Sequence, residues 1–290
     1  MYNQTVAYKG RLYIMLTALT IKDYAKNRKR RVFFRTDKTN LEVVEYNGIQ
    51  LVHIIYYKYG KNIRWDKIRE LAGNESKNIL CNKNISFPQG SGLRRYTTNL
   101  LKERIAENTV LEVLKKCKQP TEELEIGLYD PDGKKTSLVE SLLKYTGKLT
   151  IVTNATSDYY KVYRQVISST GAVLLLKKDV SALRGCDIVI APDKIKEELP
   201  VKDKAVVFTA EKPAVCQRGR VYSRYIVALN ESYKEIKPHS LSDEYFAQAL
   251  YDKGRQHRLG SVLPILCISE GLNSTIDEIC GFVEQQIKIT

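Results

Sequence analysis

Between Glu125 and Ala210 the sequence alternates short apolar runs with amphipathic ones. Strands are expected at Glu125–Tyr129, Leu149–Thr153, Ala172–Leu176, Ile188–Ala191 and Ala205–Thr209. Helices are expected between them at Ser137–Tyr145, Asp158–Ser168 and Val180–Arg184. Apolar runs of this length are too short for buried helices, and the intervening stretches carry a helical period. Strands separated by helices form a parallel sheet with a helical cover. Such sheets take ligands at the carboxyl ends of their strands. The alternation therefore names a sheet edge where this chain would hold a ligand, without naming the ligand.

The rest of the chain is organised differently. Of a net charge of +14 over 290 residues, +12 falls in residues 1–124, which hold 24 Lys and Arg against 12 Asp and Glu. In that part, Arg31–Arg35 reads as a short strand, and the β-prone runs Glu42–Tyr46 and Ile49–Tyr57 flank Asn47-Gly48. Asn-Gly between such runs is the signature of a hairpin, because a type I′ turn needs positive φ at both positions. Asn62–Leu71 reads as a helix stopped at Gly73, and Thr97–Lys118 as a second helix. Gln119-Pro120-Thr121 ends that helix where the charge balance also changes. The expected division is a basic α+β region over residues 1–120 and an α/β region over residues 121–290. The second region closes with a helix over Ser240–His257 after Pro238 and another capped by Asn273 or Ser274.

Six cysteines occur, at 81, 117, 186, 216, 267 and 280, with no CxxC pair and no histidine at ligand spacing from any of them. Zinc motifs are read from closely spaced ligand pairs, so none is expected, and free thiols in apolar context suit a reducing cytoplasm. The apolar run Leu12–Ile21 follows Lys9 and Arg11 but is followed by no small-x-small cleavage site. It is also too short to span a bilayer. A buried element, no membrane span and a cytoplasmic location are the expectations. His53 lies in an apolar strand and reads as a packed or hydrogen-bonded histidine.

From Lys148 to Thr209 the chain runs strand, helix, strand, short helix and then Leu183-Arg184-Gly185-Cys186-Asp187-Ile188-Val189-Ile190-Ala191-Pro192. This resembles the middle of a Rossmann-type domain as found in dehydrogenases of the shikimate and glutamyl-tRNA reductase type. The likeness is one of fold over roughly Glu125–Thr209. It implies a Rossmann-like parallel sheet domain preceded by the basic α+β region. A dinucleotide site of that kind carries G-x-G-x-x-G after the first strand. Here Ile126-Gly127-Leu128-Tyr129 leads into Asp130-Pro131-Asp132-Gly133-Lys134-Lys135, with two carboxylates and no glycine series. On that ground NAD(P) is not expected.

The same Asp130-Pro131-Asp132-Gly133 is similar to the D-x-D-G-T of haloacid-dehalogenase-type phosphatases, in which the first Asp attacks phosphorus, the second is general acid and base, and Mg²⁺ lies between the charges. Thr153-Asn154 matches the hydroxyl that this family carries after its next strand. Lys177 or Lys178 and Asp187 or Asp193 would complete the set. On this reading Asp130 and Asp132 are both catalytic and metal-binding. The sequence departs from the family where Lys134 stands in place of Thr, and Asp187 precedes its strand. Asp-Pro-Asp-Gly is equally a turn composition.

Lys26-Asn27-Arg28-Lys29-Arg30-Arg31 is the densest basic cluster. Arg28, Lys29, Arg30 and Arg31 are candidate nucleic-acid contacts, with Tyr24, Phe33 and Phe34 as stacking platforms. The alternative is a solvated basic edge. The leading expectation is a non-redox small-ligand-binding or regulatory protein, its ligand or protein partner met at Thr153, Asn154, Asp193 and Lys134. A Mg²⁺-dependent phosphatase at the same strand ends and a nucleic-acid-binding protein are the alternatives.

Overall fold

A computed structural model describes residues 6–8, 11–23, 37–46, 48–117, 124–170, 172–254 and 262–287. In chain order the elements are β1 (Val6–Tyr8), β2 (Arg11–Asp23), β3 (Lys38–Tyr46), β4 (Ile49–Lys58), α1 (Trp65–Ala72), β5 (Ile79–Cys81) and α2 (Leu100–Lys116). Then come β6 (Ile126–Tyr129), α3 (Val139–Leu142), β7 (Lys148–Val152), α4 (Thr156–Thr170), β8 (Val173–Lys177), β9 (Ile188–Ala191), β10 (Val206–Thr209) and β11 (Arg220–Tyr222). The chain continues with β12 (Arg224–Ile226), α5 (Glu231–Ile236), α6 (Asp243–Gly254), β13 (Leu266–Ser269), β14 (Leu272–Ser274) and α7 (Ile276–Ile287). Two compact units result, one of residues 1–98 with 229–256, the other of residues 99–228 with 257–290. They do not follow a division at residue 120: α2 belongs to the second unit, and α5 and α6 to the first.

In the first unit the sheet order is β1-β2-β4-β3, with β5 also pairing β2, on the edge opposite β4. The apolar run Leu12–Ile21 is therefore a strand, parallel to β4 on one side and to β5 on the other. A strand paired at both edges and covered on both faces reads as a continuous apolar run. Leu16, Ala18 and Leu19 of β2 are all buried. The expected hairpin is present: β3 and β4 are antiparallel, Tyr46 faces Ile49, and Gly48 has a φ of 77°. Leu16, Leu51 and Leu80 pack with Phe246 and Leu250 of α6. Leu19, Ile54 and Ile79 pack with Ile68 of α1. His53 hydrogen-bonds Thr20 Oγ1 at 2.8 Å and lies 3.4 Å from a Glu42 oxygen, a histidine held in a sheet. The basic cluster Arg28, Lys29, Arg30 and Arg31 and the strand expected at Arg31–Arg35 lie outside the described residues.

The second unit contains a six-stranded parallel sheet in the order β8-β7-β6-β9-β10-β11. Counted along its own strands this is 3-2-1-4-5-6, the order of the doubly wound fold. Every residue of β6, β9 and β10 is buried, which is why these strands show no alternation in sequence. α2 packs on β9 and β10, and α4 on β8. β12, β13 and β14 form a small antiparallel sheet. Among the described residues no helix is long and apolar enough to cross a membrane.

Gly127, inside β6, is set by packing. A Cβ there would come within 2.6 Å of Leu183 Cδ2 and 3.0 Å of Cys186 Sγ. Only a glycine lets the segment before β9 lie this close to the central strand. Gly127→Ala is expected to cost about 1–3 kcal/mol, as overpacking does. Urea denaturation of the full chain, followed by circular dichroism, would read it as a lowered midpoint; an unchanged midpoint would refute the packing account.

Candidate functional site

The order of the second sheet reverses between β6 and β9. From β6 the chain moves to β7 on one side, and from β9 to β10 on the other, so the connections diverge at the carboxyl ends, the place where such sheets take ligands. Asp130 follows β6 at this point, and Pro192-Asp193 follows β9.

Asp130 is 1% exposed. Its Oδ1 accepts the Lys134 backbone N–H at 3.1 Å, and its Oδ2 accepts the Lys135 N–H at 2.8 Å and the Tyr159 hydroxyl of α4 at 2.6 Å. A buried carboxylate is costly unless hydrogen-bonded, and here the loop wraps around its own anion. Burial, then the bond to Asp130, pushes the Tyr159 hydroxyl well above its usual range, so it remains a donor. Gly133 closes the loop with a φ of 71°, and a Cβ there would meet Ala155 Cβ at 2.5 Å.

The two lysines that follow go different ways. Lys135 is nearly enclosed, its Nζ lying 2.7 Å from Glu103 and 2.8 Å from Glu107 of α2. Arg104 lies 3.1 Å from the other Glu107 oxygen. Burial opposes the charge on Lys135, but Glu107 and Glu103 outweigh it and hold its pKa above the ordinary value. Lys134 remains exposed, bonds Asp132 at 2.7 Å and stands 3.7 Å from Asp193 Oδ2. Asp193 Oδ2 is enclosed and makes no hydrogen bond. Bonding to Lys134 holds the exposed Asp132 carboxyl below its usual range. Tyr129, the last residue of β6, donates to Glu197 at 2.7 Å.

The residues expected at the strand ends thus occupy one edge. Lys134 bridges Asp132 toward Asp193. The Asn154 N–H donates to Pro131 O at 3.1 Å, and Thr153 Oγ1 accepts the Ala155 N–H at 3.1 Å in the turn into α4. No motif in the sequence marks Glu103, Glu107 or Tyr159 as part of this edge. The signal for the two acids was their spacing of one helical turn on α2, which puts both on one face.

The geometry does not support the phosphatase alternative. Both oxygens of Asp130 are held by loop amides and Tyr159, whereas Asp132 faces solvent against Lys134, so nucleophile, general acid and Mg²⁺ ligands are not assembled. Asp187 lies at the opposite end of the sheet, accepting from Glu125 N at 3.1 Å and paired with Lys202 at 2.7 Å. The nucleic-acid candidates Arg28, Lys29, Arg30 and Arg31 lie outside the described residues.

Fold and edge define a Rossmann-like α/β protein. No protein-family model matches the chain, and no curated protein matches it. Solved structures are similar to it at low identity. Thermococcus litoralis Δ1-pyrroline-2-carboxylate reductase, in complex with NADH and L-proline, is 10% identical with a TM-score of 0.30 over 65% of each chain. An archaeal alanine dehydrogenase with bound NAD is 9% identical with a TM-score of 0.28, over 59% of this chain and 56% of that one. Nostoc punctiforme L-tryptophan dehydrogenase is 9% identical with a TM-score of 0.34, over 82% and 76%. The chain spans less than two thirds of the first two. At these scores the likeness carries no argument about activity, substrate or site.

Two expectations are corrected. A non-redox ligand-binding or regulatory protein, with NAD(P) left out, was inferred from the missing glycines. The strand order is that of dinucleotide-binding sheets. Missing glycines remove one way of seating a pyrophosphate; they do not remove the crevice that the strand order creates.

Lys135→Met is expected to destabilise the second unit by about 3–5 kcal/mol, because it takes the Lys135 cation from Glu103 and leaves Glu107 with Arg104 alone. Lys135→Arg keeps the charge and costs less. Because the Lys135 pKa is raised on folding, its contribution is complete below the unfolded value of about 10.4 and is lost as pH rises through the folded value. Denaturation midpoints of wild type and Lys135→Met should therefore converge at strongly alkaline pH.

Proposed function

We propose that the second unit binds a nicotinamide dinucleotide in the crevice between the carboxyl ends of β6 and β9. The observation that carries this reading is the 3-2-1-4-5-6 strand order with its reversal at β6 and β9. The residues fit such a group without a glycine cradle. The Lys134 and Lys135 amides are taken by Asp130, so the loop does not seat the pyrophosphate on its N–H groups. The exposed Lys134 ammonium supplies the cation for the phosphates. Asp193 Oδ2, enclosed and without a hydrogen bond, supplies an acceptor for a ribose hydroxyl or carboxamide N–H. When bound, the nicotinamide would supply hydride transfer. Asp130 and Tyr159 keep the loop in place, and the Glu103–Lys135–Glu107 cluster anchors it to α2.

Titrating the full chain with NADH and NADPH, followed by nicotinamide fluorescence, tests this. Saturable binding is expected, weakened about tenfold, or 1.4 kcal/mol, in Lys134→Ala and in Asp193→Ala. Absence of saturable binding of either dinucleotide to folded wild-type protein would overturn the reading.

A further inference from the structure

Away from the sheet edge, α2 and α7 meet through sulfur. Cys117 ends α2, its N–H still bonded to Val113 O at 2.9 Å. Cys280 lies on α7, and the two Sγ atoms are 3.0 Å apart. Glu284 follows Cys280 by one helical turn, so both side chains share a face. Its Oε1 lies 3.7 Å from Cys280 Sγ. The three ligating atoms lie within 4.8 Å of one another, the only such group of His, Cys, Asp or Glu side chains among the described residues. Cys280 is buried and the other two are partly exposed. Lys116 of α2 is paired with Asp277 of α7 at 2.7 Å.

We propose that Cys117, Cys280 and Glu284 form a zinc site that joins α2 to α7, with its fourth position open to water. Two thiolates and a carboxylate suit a borderline-soft dication, and tetrahedral zinc takes such ligands. Zn–S bonds of about 2.3 Å and Zn–O bonds of about 2.0–2.2 Å put donors about 3.5–3.8 Å apart. Cys280 and Glu284 already have that spacing, and the sulfur atoms reach it by separating less than about 1 Å. Binding releases the two thiol protons to solvent and forms two Zn–S bonds and one Zn–O bond. A motif search along the sequence cannot find this group, because 163 residues separate its cysteines.

The test uses the full chain, purified reduced, stripped with a chelator and reloaded. Elemental analysis is expected to give one zinc per chain, and Co²⁺ to give a thiolate charge-transfer band. Cys117→Ser and Cys280→Ser should each lower that band to the share of the one remaining thiolate and weaken zinc binding by about 100-fold, and the double variant should lose the band. Glu284→Gln, which leaves both thiols in place, should keep the band and bind about tenfold more weakly. Cys216→Ser, at an exposed thiol, should change nothing, and circular dichroism checks folding throughout. Reduced wild type that retains no zinc would overturn the proposal. So would a Co²⁺ band that survives both serine substitutions, or a Cys117–Cys280 pair that peroxide closes to a disulfide while the reduced protein takes no metal.

Discussion

The edge of the parallel sheet depends on one buried anion. Asp130 is sealed at the end of the central strand β6, where an unpartnered carboxylate would be strongly unfavourable. Two N–H groups of its own loop and the Tyr159 hydroxyl offset that cost. In turning its amides inward the loop also divides the two lysines that follow. Lys135 is directed to the acids of α2 and Lys134 to the side of Asp193. A single side chain thus decides which cation serves structure and which faces the crevice.

This arrangement inverts the usual logic of a phosphate-binding turn. In a glycine-rich loop the N–H groups stay unsatisfied until the ligand brings its own negative charge. Here the protein supplies the negative charge itself, and the cation beside the loop is the Lys134 ammonium, paired with Asp132, rather than a set of fixed dipoles. An ammonium is a compact point charge on a flexible stem, so it imposes less geometry on a ligand than a ring of amides.

Much of the fold was legible because the strands of the second sheet are short, apolar and buried on both faces. Ile188–Ala191 was read with the bounds it has, and Ala205–Thr209 within one residue of them. The Asn-Gly hairpin and the stop at Gly73 were legible because both turn on local backbone conformation. The helix after β6 is shorter than the apolar pattern suggested, a 3₁₀ turn over Thr136–Leu138 followed by α3. Its start follows from the loop that Asp130 organises, a tertiary matter. The direction in which Asp130 points was also hidden, since Asp-Pro-Asp-Gly has the same composition as a ligand turn and a self-capped one. Charge along the chain suggested a division near residue 120, but contacts made by Phe246 and Leu250 with Leu16 and Leu51 cannot be read from charge.

Because the first unit is assembled from two stretches of chain, its completion comes late during synthesis. All six strands of the parallel sheet have been made by Tyr222, whereas the face of β2 and β4 that carries Leu16 and Leu51 must wait for α6; the other face is met by α1. More than a hundred residues, including a whole sheet, are translated in that interval. The ribosome therefore delivers β2 and β4 before the helix that covers one of their faces, and Leu16, Ile49 and Leu51 on that face are where a chaperone would be needed first.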